Sequence, residues 1–230
     1  MSFSPGQLAG ALLARRQIAA LCVSGRSQYK HMAAVLAFDQ RRDARTFAGG
    51  IPVVAHPPCR CWSKFLSSQA KPADSTGEMA LGLWCVDQVK RHGGVLEHPA
   101  HSKLFDAAGL PRPGDFADPF LYTIYVEQSW FGFGMRKATW LLVSGVPHHS
   151  LPPFPFRLSG FYLGMTHKAE NSRTVLSFAN WLCAVSRLTW HSLPVRSYGP
   201  ELAELCIKSR YLARGPGPLA CYHDLKTFRL

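Results

Sequence analysis

Pro52-Val53-Val54-Ala55-His56-Pro57-Pro58-Cys59-Arg60-Cys61-Trp62-Ser63 decides how the chain reads. Val53, Val54 and Ala55 make a short unbroken apolar run of the kind that becomes a buried central strand. Two consecutive prolines then end it, because neither can donate a backbone hydrogen bond to a sheet. Each proline also fixes φ near about −65°, so the loop is stiff and holds Cys59 at the carboxyl end of the strand. In open α/β sheets that edge is where ligands bind.

Working outward, the neighbouring segments supply the rest of such a sheet. Upstream, Ala19–Val23 reads as a first strand ended by Ser24-Gly25-Arg26-Ser27, and Ala33–Phe38 as a second element ending at Asp39. A Ser/Gly turn after a strand can cradle a phosphate or nucleotide, although most such turns are only turns. The first twenty residues suit a short helix or a loosely held arm. Downstream, Lys64–Gly77 is rich in Ser, Lys, Ala and Pro and reads as a mobile flap. From Glu78 to His92, Met79, Leu83, Val86 and Val89 recur at helical spacing. Lys90, Arg91 and His92 stand on the last turn, and Gly93-Gly94 is the stop. Val95-Leu96 and Glu97-His98-Pro99 follow at once, so strand, helix and strand form a βαβ unit with parallel strands. Cys59 and Glu97 then share one sheet edge, on adjacent or nearly adjacent strands.

Further along, Leu121–Val126 and Trp140–Val143 read as strands, His148–Phe156 as a rigid, partly extended loop, and Thr174–Leu188 as a helix buried through Val175, Phe178, Trp181, Leu182 and Val185. His191–Leu230 has Pro, Gly and Arg without sustained period. The expected organisation is one α/β domain over residues 1–190 and a tail or appendage over 191–230.

Composition bounds the function. The 230 residues are 47% apolar, enough for a real core, and Lys plus Arg outnumber Asp plus Glu by 26 to 14, a formal excess of +12. A polyanionic partner follows, with nucleic acid ahead of a membrane because no apolar run approaches the roughly 18 residues a span needs. Tyr122, Tyr125, Trp130, Phe131, Phe133 and Trp140 lie among Arg136 and Lys137, a mixture that can stack bases and neutralise phosphates; as core residues the same aromatics would do neither. The 7 cysteines are an odd number without a framework, and no signal segment opens the chain. Reduced thiols in a cytoplasm are expected. Cys59-x-Cys61 beside His56 invites zinc, but structural zinc sites repeat such a pair and none is repeated here.

A thiol and a carboxyl at one edge suit nucleophilic chemistry: the thiolate attacks, and the carboxyl group holds the substrate in the protonated or hydrogen-bonded form that accepts attack. As plain structural groups, Cys59 would be a buried thiol and Glu97 a surface ion-pair partner.

The motifs resemble those of DNA cytosine-5 methyltransferases. Pro57-Pro58-Cys59-Arg60-Cys61-Trp62-Ser63 resembles that family's catalytic Pro-Pro-Cys loop, and Leu96-Glu97-His98-Pro99 its Glu-Asn-Val motif. Trp130-Phe131-Gly132-Phe133-Gly134-Met135-Arg136-Lys137 is similar to its Tyr-Gly-x-Pro-Gln-x-Arg segment. More closely, Ala55–Cys59, Gly94–Pro99 and Lys137–Leu141 look like a group of small phage and prophage proteins. The resemblance spans roughly residues 50–190 and implies a Rossmann-like, mostly parallel methyltransferase-like sheet with flanking helices and a reduced N-terminal cofactor half.

It further implies that Cys59 attacks C6 of a flipped pyrimidine, that Glu97 hydrogen-bonds the N3/N4 edge, and that Arg136 contacts the base or adjoining phosphate. His56, Arg60, Ser63, His98, Trp130 and Lys137 would face the DNA. S-adenosylmethionine would be the methyl donor, near Ser24, Gly25, Asp39 and Pro57. The sequence departs from the family in lacking its Phe-x-Gly-x-Gly loop, in having His98-Pro99 for Asn-Val and in having Arg60 for Gln.

The leading expectation is thus a phage-type DNA base-modifying enzyme in a bacterial cytoplasm. Its alternatives are an inactive DNA-binding or anti-defence relative, a base-hypermodifying enzyme without S-adenosylmethionine, and a metal-dependent hydrolase using His56, Cys59, Cys61, His98 and His101.

Overall fold

The strands are β1 (Ile18–Leu21), β2 (Val35–Ala37), β3 (Val53–Ala55), β4 (Gly94–Pro99), β5 (Leu121–Glu127) and β6 (Ala138–Ser144), and the helices are α1 (Ser75–His92), α2 (Lys103–Ala107) and α3 (Leu176–Arg187). They come from a computed structural model that describes residues 17–62, 75–115, 117–157 and 174–189. The chain divides into units Met1–Ser192 and Leu193–Leu230. Everything described belongs to the first unit; the expected tail over 191–230 lies outside the described residues, as do residues 1–16 of the expected N-terminal arm and 64–74 of the expected flap, while residues 18–20 of that arm are buried strand instead.

The strands form one six-stranded sheet in the order β2-β1-β3-β4-β6-β5. β3 is central and wholly buried, as its unbroken Val53–Ala55 run predicts. It pairs in parallel with β1 and with β4, while β1 pairs in parallel with β2. Strand order therefore reverses between β1 and β3, a switch point that opens a crevice beyond their carboxyl ends.

The sheet is mixed: five strands run in one direction, as a mostly parallel sheet requires, and β6 alone runs against them. β6 runs antiparallel to both β4 and β5. The cause is local: a 3-10 turn, Gln128–Phe131, ends at Gly132 with φ 87, and the chain doubles back instead of crossing over. A positive φ at that point favours glycine, which has no Cβ to clash. Two apolar strands read the same in either direction, so the sequence left this reversal open. α1 also begins before Glu78, taking in Ser75, Thr76 and Gly77 of the expected flap.

Both faces are covered. Ile18, Val54, Val95, Ile124, Leu141 and Val143 pack with Phe178, Trp181, Leu182 and Val185 of α3. Ala19, Val53, Ala55, Leu96 and Leu142 pack on the other face with Cys85, Val86 and Val89 of α1 and with Leu104 and Phe105 of α2. Between β1 and β3 the connections carry only 3-10 turns, Gln28–His31 and Ala44–Thr46. None of the described helices is long and apolar enough to cross a membrane.

One contact ties α1 to the loop after β3. A Cβ built on Gly82 would stand 2.6 Å from Nε1 of Trp62, a ring only 3% exposed. Alanine at 82 gains about 1 kcal/mol of helix propensity but must displace a rigid buried ring, a strain of about 1–3 kcal/mol. Gly82→Ala is therefore expected to lower the urea midpoint and raise the exposure of Trp62 to a fluorescence quencher. Unchanged quenching of Trp62 together with an unchanged midpoint would mean that Trp62 does not rest on α1.

Candidate active site

Residues that follow β1 and β3, Glu97 near the carboxyl end of β4, and those that flank the β5–β6 turn meet at one edge. The reason is topological: parallel strands deliver their carboxyl ends together, and the reversed β6 brings its amino end to the same place. Pro57 is buried, and the turn after it is closed by a hydrogen bond from Trp62 N to the Cys59 carbonyl, 3.1 Å. Lys103 N donates to the Trp62 carbonyl at 2.9 Å, so α2 also anchors the loop.

Glu97 is the hub. His56 Nδ1 lies 3.0 Å from Glu97 Oε2, and Gln128 Nε2 donates to Glu97 Oε1 at 2.9 Å. The other imidazole nitrogen, Nε2, lies 3.0 Å from the Tyr29 hydroxyl. Since an ionised carboxylate only accepts, a neutral His56 carries its proton on Nδ1 and takes the Tyr29 O–H at Nε2. Gln128 also donates to Thr139 Oγ1 at 3.0 Å, and that hydroxyl donates to the Lys137 carbonyl at 3.1 Å. Burial alone would raise the pKa of Glu97, but the His56 hydrogen bond and the charge of Lys137 outweigh it and hold the carboxyl down at about 2. Tyr29, 1% exposed, stays a phenol because burial raises its pKa.

Cys59 belongs to the same electrostatic group. Burial, then the negative charge of Glu97, pushes its thiol up, while Lys137 pulls it down. Lys137 thus acts on both Cys59 and Glu97, with its ammonium 5.6 Å from the centre of the Phe133 ring.

The remaining sequence-predicted residues divide. Arg60 is exposed but paired with Glu78 on the first turn of α1, whose carboxylate also lies 3.6 Å from the Cys61 thiol. Arg136 is exposed and pairs with Glu127 at 3.3 Å. Trp130 is half-buried, and Ser63 lies outside the described residues. His98, grouped with the substrate contacts in the sequence, is fully buried on the face opposite Glu97, because successive strand residues alternate. Burial lowers its pKa to about 4, so the ring is neutral.

Of the donor-side residues, Ser24 and Gly25 follow β1, Asp39 follows β2 and Pro57 follows β3. Asp39 accepts from the Lys30 ammonium and, through Oδ1, from the backbone N–H groups of Arg41 at 2.9 Å and Arg42 at 3.0 Å. The Lys30 hydrogen bond and those amides take its carboxyl down to about 2. Ser24-Gly25 forms a turn closed on itself, with Ser27 N on the Ser24 carbonyl at 2.9 Å. Gly25 has no neighbour within 4 Å of a built Cβ. Asp39 is thus engaged by Lys30 and two backbone amides, and Gly25 faces open space.

Metal donors are not gathered either: among the described residues no three His, Cys, Asp or Glu side chains are grouped so as to hold an ion. His101, with φ 62, packs its ring against Trp140 at 4.9 Å. The described cysteines, Cys22, Cys59, Cys61, Cys85 and Cys183, form no disulfide with one another.

Tyr29, Gln128 and Thr139 were missed in the sequence. Gln128 had the same signal as Glu97, a polar residue just past an apolar strand; Tyr29 had none, being a lone aromatic between two strands. No family model matches the chain, and no curated protein is similar to it.

Proposed function

We propose that the protein modifies bases in DNA, with Cys59 adding to C6 of an extruded pyrimidine, most concretely cytosine. The observation that carries this reading is the Glu97 carboxylate gripped from two sides by His56 and Gln128, at the sheet edge where the loop after β3 carries Cys59. A carboxylate has about four lone-pair positions, and these two contacts leave capacity for a ligand. Such an acceptor suits the N4 amino group of cytosine better than the O4 of thymine. Its charge also favours a proton on N3, which makes C6 more electrophilic. Lys137 would offset the charge that builds as the thiol ionises, or take a flanking phosphate.

In the reaction the thiol gives up its proton to water, the Sγ–C6 bond forms, and the C5–C6 double-bond electrons move to C5. That carbon takes an electrophile and then loses its own hydrogen as the thiolate leaves and the double bond returns. With water as the only electrophile source, the net change is exchange of the C5 hydrogen. Release of tritium from DNA carrying 5-tritiated cytosine therefore tests the reading without any donor. The wild type is expected to release tritium, and Cys59→Ala to lower the rate about a thousandfold or more. No release by the wild type would sink the enzyme.

A second reading is an inactive relative that binds DNA or a host defence protein. It is favoured by the raised pKa of Cys59, which leaves little thiolate at neutral pH in the free protein. Equal DNA affinity of the wild type and Cys59→Ala, with no tritium release by either, selects it.

A further inference from the structure

Outside the hub, a second group of side chains gathers around Trp130 of the turn Gln128–Phe131. Trp130 meets Tyr125 at 6.2 Å and Phe156 at 5.3 Å between ring centres. Tyr125 is 39% and Phe156 60% exposed, so two of the largest exposed apolar side chains flank the same indole. Phe156 has φ 40, a left-handed conformation that a bulky residue disfavours and that is held here by Arg157 N donating to the Trp130 carbonyl at 2.9 Å. The rim is basic: Arg157 is exposed, and Arg136 is linked through Glu127 to the Tyr125 hydroxyl. The same turn reaches Glu97 on its inner side through Gln128.

We propose that Tyr125, Trp130 and Phe156 form a stacking platform for a nucleobase of the bound DNA strand, next to the base presented to Cys59, with Arg136 and Arg157 on its phosphates. This rests on DNA being the substrate. Exposed aromatic rings beside guanidinium groups are the arrangement that takes unpaired bases without regard to sequence, since every base has a π-face. The occupant is a polyanion because the rim carries positive charge on a chain with a net +12.

The test compares oligodeoxycytidylate with an abasic deoxyribose-phosphate strand of equal length, by fluorescence anisotropy on the full chain. Phe156→Ala is expected to weaken oligodeoxycytidylate binding about tenfold and to leave the abasic strand within about twofold, because one stacked base is lost. Phe156→Trp is expected to restore the preference. Arg157→Ala is expected to weaken both strands alike and to flatten the salt dependence. A thermal melt of Phe156→Ala matching the wild type shows that the fold is intact. If Phe156→Ala binds both strands as the wild type does, the platform is overturned while the DNA reading stands. If the wild type binds neither strand, both fall. If Phe156→Ala instead changes the sedimentation of the protein alone, a second copy of the chain covers the patch, and the proposal is overturned.

Discussion

Replacing Gly94 by alanine is expected to leave no stably folded protein. Gly94 has φ 122, and a Cβ there would stand 1.9 Å from the Val53 carbonyl oxygen and 2.8 Å from the Val53 nitrogen. Those are backbone atoms of the central strand, paired with Gly94 itself in the β3–β4 register, so neither can swing aside as a side chain would. The Val53 carbonyl is also held from the other side by Ser186 Oγ of α3 at 3.1 Å. Relief of the clash means separating β3 from β4 or lifting α3 off the sheet. Either costs several kcal/mol against a total stability of about 5–15 kcal/mol. Soluble yield and far-ultraviolet circular dichroism check it, with Gly25→Ala, whose site is open, as the tolerated control. A Gly94→Ala protein with the wild-type urea midpoint would show that β3 and β4 do not pair in this register.

The second large effect concerns Glu97, and it separates charge from shape. Glu97→Gln keeps the volume, and the hydrogen bonds can be rebuilt: the new amide donates to His56 Nδ1, His56 changes tautomer, and Nε2–H donates to the Tyr29 oxygen. The fold should therefore survive, whereas Glu97→Ala leaves the His56 and Gln128 donors without their acceptor, at about 1–3 kcal/mol each. Activity should not survive, because the anion that favours N3 protonation is gone; a fall in tritium release of about a hundredfold or more is expected. Tritium release by Glu97→Gln at the wild-type rate would remove Glu97 from the chemistry.

The same residue predicts a pH dependence. The folded-state pKa of Glu97 is depressed from 4.5 to about 2, so its contribution is complete above 4.5 and is lost as the pH falls toward 2. The urea midpoint of the wild type should fall more steeply than that of Glu97→Gln across this interval. Asp39 is depressed to about 2 as well, but it is present in both proteins, so the difference between the two curves belongs to Glu97.

The chain's own chemistry fixes a good part of this arrangement. Val53–Ala55 is buried strand because three apolar residues stand between two glycines upstream and two prolines downstream, and prolines end a strand whatever surrounds them. The helix after it follows from 3.6-residue periodicity and a glycine stop, and the βαβ unit then places Cys59 and Glu97 at one edge. Those are local signals, carried by residues within a turn or two of one another. What only the tertiary structure decides involves partners far apart. Tyr29 reaches His56 across 27 residues and Gln128 reaches Glu97 across 31, and no local pattern names either pair. The Gln128–Gly132 turn reverses β6 locally, but its insertion between β4 and β5 is a long-range pairing that no local pattern names. The pleat then sends Glu97 into the hub and His98 into the core, although the two are neighbours in the chain. Asp39, an unattached acid in the sequence, is claimed by Lys30 because a short 3-10 turn carries that lysine back over the end of β2.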